Sequence, residues 1–305
     1  MTEGSKRAIR AALFANLGIA IAKLVGFAIT RSAGMLAEAI HSLADSGNQA
    51  LLLLGGRRAR KQATPTHPFG YGRERYFWSF AVSLVLFSIG GLFALTEGID
   101  KLRNPHEIKS VWVAIGILVF AIALETYSLR TAIKEVNHVR GEGVSMWTFI
   151  RTSKQPELPV VLLEDAGAEL GLFAALGGVV MADITGDPRW DAAGSVVIGV
   201  LLIAIAVLLM IEMKGLLIGE SASRVDQDAI TVALAAGPGV RGVVHLKTQH
   251  IGPDEILVAA KVEFDAELTF EQLSASIDAT EALVRAATPA ARMIYIEPGR
   301  PTPAP

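Results

Sequence analysis

Two uninterrupted uncharged stretches limit what this chain can become: Tyr76–Thr96 and Ala192–Ile211 contain no acidic or basic side chain. About 20 apolar residues are what an α-helix needs to cross the hydrocarbon core of a bilayer. Four more runs, near residues 8–30, 34–56, 110–132 and 159–182, approach that length; with 76–98 and 191–213 they predict six membrane-crossing helices. Composition agrees, because 51% of the residues are hydrophobic and only 19% are charged, against about 25% charged in an ordinary soluble domain. The formal net charge of -2, with Lys and Arg in small clusters, argues against a nucleic-acid partner. Cysteine is absent, which excludes disulfides, thiolate metal ligands and cysteine nucleophiles. Any metal would have to be held by His, Asp or Glu.

Basic residues set the expected orientation, since short cytoplasmic loops retain Lys and Arg. With both termini inside, the inner side holds 14: Lys6, Arg7 and Arg10, six from Arg57 to Arg75, and five from Arg130 to Lys154. The outer loops hold five, namely Arg31, Lys101, Arg103, Lys109 and Arg189. This bias predicts cytoplasmic termini. The first apolar run has no small-residue cleavage site, so it reads as a first span and not a removable signal, which fits a bacterial inner membrane.

Beyond residue 213 the pattern becomes that of a small soluble domain, expected over 214–298, with a disordered tail over 299–305. A helix over 224–236, strands over 240–250 and 255–264, a helix over 269–287 and a strand over 292–296 give the order α-β-β-α-β. The Gly252-Pro253-Asp254 turn reads as a hairpin. The membrane part is expected over 1–213.

Acidic side chains at bilayer depth cost about 2.5–3.5 kcal/mol each on insertion scales and are usually functional or paired. In the second span Glu38, His41, Asp45 and Asn48 follow one another at intervals of three, four and three, which places them on one helical face. In the fifth, Asp165 and Glu169 share a face, whereas Glu164 is turned about 100° away by the 3.6-residue period. Glu164 falls with Ala168, Gly171, Ala175 and Gly178, a small-residue stripe suited to close helix packing. Imidazole nitrogen with carboxylate oxygen suits Zn²⁺ and also accepts Fe²⁺, Mn²⁺ or Co²⁺. Metal binding to such ligands displaces protons, which couples the two ions. The competing reading is a set of interhelical ion pairs with Lys23 of the first span. Glu38, Glu125 and Glu164, each taken singly, fit a structural role at least as well.

The run Met35-Leu36-Ala37-Glu38-Ala39-Ile40-His41-Ser42-Leu43-Ala44-Asp45, then Asn48-Gln49 and His67-Pro68-Phe69-Gly70-Tyr71-Gly72-Arg73-Glu74-Arg75, resembles the cation diffusion facilitator family. The likeness extends over nearly the whole chain, through Gly186-Asp187-Pro188, His245-Leu246-Lys247-Thr248 and Ile296-Glu297-Pro298. It implies a membrane α-helical fold: six transmembrane helices followed by a ferredoxin-like α+β cytoplasmic domain. It also implies a homodimer that exports a divalent cation, Zn²⁺ first and Fe²⁺, Mn²⁺ or Co²⁺ next, in exchange for protons. The family's site takes two ligands from the second span and two from the fifth; His41, Asp45 and Asp165 match three of them. The fourth position is Val161, which cannot bind metal. That departure, with Leu163-Glu164-Asp165, resembles a branch containing zinc transporters of animal organelles. The resemblance therefore leaves three protein ligands plus water, or recruitment of Glu169 or Glu164.

The family's other sites are thinner here. Thr64 and Tyr71 stand where the loop site near His67 would have ligands, so His67 is expected to be structural. His245, His250 and Glu297 remain in the last domain, but Val244, Lys261, Ser274 and Tyr295 replace side chains that often bind metal, so dimerisation is expected ahead of metal sensing. His106 and His138 are expected in solvated loops. No His-Glu-x-x-His, Gly-x-Ser-x-Gly or P-loop pattern supports a membrane hydrolase or an ATP-driven pump, and the chain is not expected to be an enzyme. An iron or manganese exporter of the same fold, or a non-transporting membrane regulator, is the alternative.

Overall fold

The computed structural model describes residues 3–30, 33–105, 110–141 and 143–300; the side chains at 3–8, 11–12, 15, 30 and 33–38 are outside that description. Arg31, His106, Lys109, the tail over 301–305, and the side chains of Lys6, Arg7 and Glu38 therefore lie outside the described residues. The chain divides into two compact units, Met1–Arg58 with Glu74–Lys214, and Ala59–Arg73 with Gly215–Pro305.

The first unit is helical: α1 (Glu3–Thr30), α2 (Ala33–Arg58), α3 (Glu74–Val85), α4 (Phe93–Arg103), α5 (Val111–Val139), α6 (Met146–Thr152), α7 (Glu157–Thr185) and α8 (Arg189–Ile218, whose last residues pass into the second unit). A π-helical segment, Leu86–Leu92, joins α3 to α4 without a break, so that Glu74–Arg103 is one 30-residue rod. At 1.5 Å per residue such a rod reaches about 45 Å, longer than the bilayer core of about 30 Å. Among the described residues four helices are long and apolar enough to cross a membrane: this rod, α5, α7 and α8. α1 offers a shorter apolar stretch, Asn16–Ile29, and α2 carries the polar series around His41.

Outward faces of these helices are apolar, as with Val197, Val200, Val207 and Ile211 on α8, while their inward faces hold the polar groups. An apolar outer surface of this kind suits a lipid surround. Small residues set the helix contacts. A Cβ placed on Gly199 of α8 would lie 2.5 Å from the backbone nitrogen of Leu95, and one on Gly98 would lie 2.7 Å from that of Val196. The α4 and α8 backbones therefore touch through two hydrogen-only positions. Gly186 ends α7 in the left-handed conformation (φ 70), its N–H bonded to the Ala182 carbonyl, and frees the chain to turn into α8.

The second unit has α9 (Arg224–Ala235), β1 (Val240–Gly252), β2 (Glu255–Phe264), α10 (Phe270–Ala287) and β3 (Ala291–Pro298). The sheet order is β1-β2-β3, with β1 antiparallel and β3 parallel to β2. Strand β2 alternates strictly: Ile256, Val258, Ala260 and Val262 are buried, while Leu257, Ala259 and Lys261 face the other side. The buried set packs with Ile230 and Leu234 of α9 and Val284 of α10. Thr269 and Gln272 form a reciprocal capping box that starts α10. His138, expected in a loop, sits instead in the last turn of α5, exposed; the helix runs past the apolar stretch because Thr131-Ala132-Ile133-Lys134-Glu135 contains no helix breaker.

Candidate functional site

In the first unit, His41 and Asp45 project from α2, 4% and 1% exposed, with imidazole Nε2 3.4 Å from Asp45 Oδ2. One turn on, Asn48 and Gln49 are fully buried. The i, i+4 and i, i+3 spacing aligns these groups along a single inward stripe. Asn48 donates from Nδ2 to Glu164 Oε1 of α7 at 2.5 Å, and Glu164 bears electrostatically on Asp45. Glu164 is thus the α7 acid seated against α2.

Asp165 and Glu169 are instead held from α5. Ser128 donates to Asp165 Oδ2 at 2.8 Å and Thr126 donates to Glu169 Oε1 at 2.7 Å. Asp165 is 1% exposed and Glu169 is half-buried. Glu125 of α5 is 2% exposed, within electrostatic reach of Asp165 and Glu169 and also of Asp45. Lys23 of α1 is buried, donates to Ser42 Oγ at 3.0 Å, and bears electrostatically on Asp45 and Glu125. Val161, one turn before Asp165, is buried and apolar. The stripe of Ala168, Gly171, Ala175 and Gly178 is buried, as close packing requires.

The structure therefore joins His41 to Asp45 and Asn48 to Glu164, and it gives Asp165 and Glu169 hydroxyl partners on α5. Among the described residues no three His, Asp or Glu side chains stand close enough to grip one ion as a finished cluster. The donor set nonetheless suits a cation. Asp45 Oδ1, Glu125 Oε1, Glu164 Oε2, Asp165 Oδ1 and Glu169 Oε2 are buried oxygens with no hydrogen-bond donor. Buried polar atoms are nearly always satisfied in folded proteins, and a dry unpaired carboxylate is among the most costly groups to bury. These oxygens mark where a positive species would be stabilised.

Sequence reasoning missed Ser128 and Thr126. Glu125, Thr126 and Ser128 end the apolar run Val111–Leu124 of the fourth span, and that break was the available signal. It also missed two buried ion pairs at opposite ends of the Glu74–Arg103 rod. Arg75 Nε and Nη2 meet Glu157 at 2.5 and 2.8 Å, and Lys101 Nζ meets Asp191 Oδ2 at 3.2 Å.

In the second unit, His67 forms a short bridge with Thr64, its ring 4.6 Å from that of Tyr71. Lys261 pairs with Glu297 at 3.3 Å, and exposed His245 shares a shallow cleft with Glu297. His250 is buried with Nδ1 3.2 Å from the Gly252 carbonyl.

A family model described as the cation efflux transmembrane domain matches residues 9–218, and one described as the cation efflux protein cytoplasmic domain matches 222–299. The chain is 34% identical over 247 residues to the mitochondrial proton-coupled zinc antiporter of Xenopus laevis, covering 81% of this chain and 44% of that protein. It is 28% identical over 268 residues to metal tolerance protein C4 of Arabidopsis thaliana, covering 88% of this chain and 59% of the relative. To magnetosome protein MamM of Magnetospirillum gryphiswaldense it is 27% identical over 261 residues, covering 83% and 75%. The chain thus spans less than half the length of the antiporter it matches.

Proposed function

This chain belongs to the cation efflux family, and on that premise we propose that it is a membrane carrier exchanging a divalent metal ion, zinc first, for protons. Its apolar helices and the matched transmembrane domain make it an integral membrane protein. The observation that carries the reading is the charge balance in the helical unit. Asp45, Glu125, Glu164, Asp165 and Glu169 each hold a buried oxygen with no hydrogen-bond donor, while Lys23 acts electrostatically on Asp45 and Glu125. A dry interior cannot hold several carboxylates against one ammonium unless protons or a cation neutralise them. Those are the two species that an exchanger moves.

His41, Asp45 and Asp165 are the proposed ligands, with Glu164 or Glu169 completing the set. Because these groups stand in pairs on α2 and α7, gripping an ion requires the two helices to converge. Metal entering from the cytoplasm displaces protons from the imidazole and carboxyls. Rocking of the helices then turns the site outward, where protons displace the metal. The homology to a zinc antiporter supports zinc, while Val161 in a ligand position leaves Fe²⁺, Mn²⁺ and Co²⁺ as competitors. We assign 1–213 to the membrane and 214–298 to a cytoplasmic domain that pairs two copies. Both ends are cytoplasmic, as the 14 to 5 bias in basic residues supports.

Proteoliposomes carrying the full chain test this. Zn²⁺ added outside is expected to drive proton flux that Asp45→Asn and Asp165→Asn each abolish. Flux retained in both variants refutes the site. The same assay with Zn²⁺, Fe²⁺, Mn²⁺ and Co²⁺ in competition ranks the metals.

A further inference from the structure

Position 161 asks where the missing ligand comes from, and α5 holds a candidate that the family pattern does not include. Leu118, Ala121, Glu125, Ser128, Ala132 and Val136 are buried at intervals of three and four, which makes one stripe facing the bundle. Val119, Phe120 and Tyr127 lie exposed on the other side. Glu125 is therefore turned inward by the register of the helix. Its flanking neighbours on the same helix, Thr126 and Ser128, each use a hydroxyl to hold one oxygen of Glu169 and Asp165. That leaves Glu169 Oε2 and Asp165 Oδ1 without a donor, together with Glu125 Oε1.

We infer that Glu125 is a ligand of the transported cation, supplying from α5 the oxygen that Val161 cannot supply from α7. The inference rests on the proposed transport site and names a further member of it. Three observations carry it. Glu125 is 2% exposed, and its Oε1 has no hydrogen-bond partner. It lies within electrostatic reach of Asp165 and Glu169 on α7 and of Asp45 on α2, so it bears on acids of both helices. The basic side chain near it, Lys23, already donates to Ser42 and acts on Asp45 as well. A purely structural carboxylate would be expected to have donors on both oxygens. A carboxylate that waits for a cation keeps one open.

Equilibrium binding of Zn²⁺ to the purified full chain in detergent micelles tests this, with Co²⁺ d–d spectra as a second readout. Glu125→Gln is expected to weaken Zn²⁺ binding at least tenfold, and Val161→His placed in the same chain is expected to restore it to within threefold. Glu125→His keeps a ligand but changes oxygen to nitrogen, so it is expected to retain Co²⁺ and shift its bands. Asp45→Asn and Asp165→Asn serve as the controls for the site itself. If they abolish binding while Glu125→Gln binds as the parent does, the transport site stands and the role of Glu125 is overturned. If Glu125→Gln does not fold, unchanged Co²⁺ bands in Glu125→His overturn it equally. If none of the variants alters binding, the whole site reading fails.

Discussion

Replacing Glu157 by Gln should expose how much the helical unit depends on a single buried ion pair. Arg75 and Glu157 join the first turn of α3 to the first turn of α7, with side chains 5% and 2% exposed and two hydrogen bonds of 2.5 and 2.8 Å. The amide can accept one of those bonds but carries no charge, so the buried guanidinium loses the Glu157 counter-charge. Removing one partner of a buried pair costs about 3–5 kcal/mol, enough to lower the apparent folding constant by more than a hundredfold. The exposed pair Arg241–Asp265, 2.9 Å apart with side chains 61% and 39% exposed, is the built-in contrast, since exposed pairs contribute about 0–1 kcal/mol. Denaturant unfolding of the detergent-solubilised chain, followed through tryptophan fluorescence, gives both values from midpoint shifts. The double variant Arg75→Met/Glu157→Leu should recover most of the loss, because well-packed apolar side chains can replace a buried pair with little or no cost. A loss below about 1 kcal/mol for Glu157→Gln, or a double variant worse than the single one, would refute the reasoning.

Gly199→Val should prevent correct assembly of the helical unit, since the first carbon added would stand 2.5 Å from the Leu95 nitrogen, and that atom belongs to an opposing backbone. Loss of the monodisperse peak in size-exclusion chromatography is the readout, and a normally folded variant would contradict the close α4–α8 contact. Thr269→Ala removes the side chain that accepts from Gln272 N–H and dissolves the capping box. It should destabilise the sheet unit by about 1 kcal/mol, within a range of about 0.5–2, measured by thermal unfolding with the flux of the helical unit unchanged.

Much of this protein could be read from residues a few positions apart. Long apolar runs define the helices, alternation over 255–264 defines β2, and the Thr269–Gln272 spacing announces the start of α10. His41 and Asp45 share a face because the helical period dictates it, whatever packs around them. The π-helical segment Leu86–Leu92 left no trace in hydropathy, because a change of hydrogen-bond partner from i+4 to i+5 alters no side chain's polarity. Which acid of α7 meets which neighbour was likewise beyond local reading. The period separates Glu164 from Asp165 by an angle, but only the rotation of α7 against α2 and α5 seats Glu164 beside Asn48 and gives Asp165 to Ser128. The pairings of Arg75 with Glu157 and Lys101 with Asp191 span 82 and 90 residues. Spacing along a helix fixes direction about its own axis, whereas contact between helices depends on how separate rods pack. That is why the faces were legible from the sequence and the partners awaited the tertiary structure.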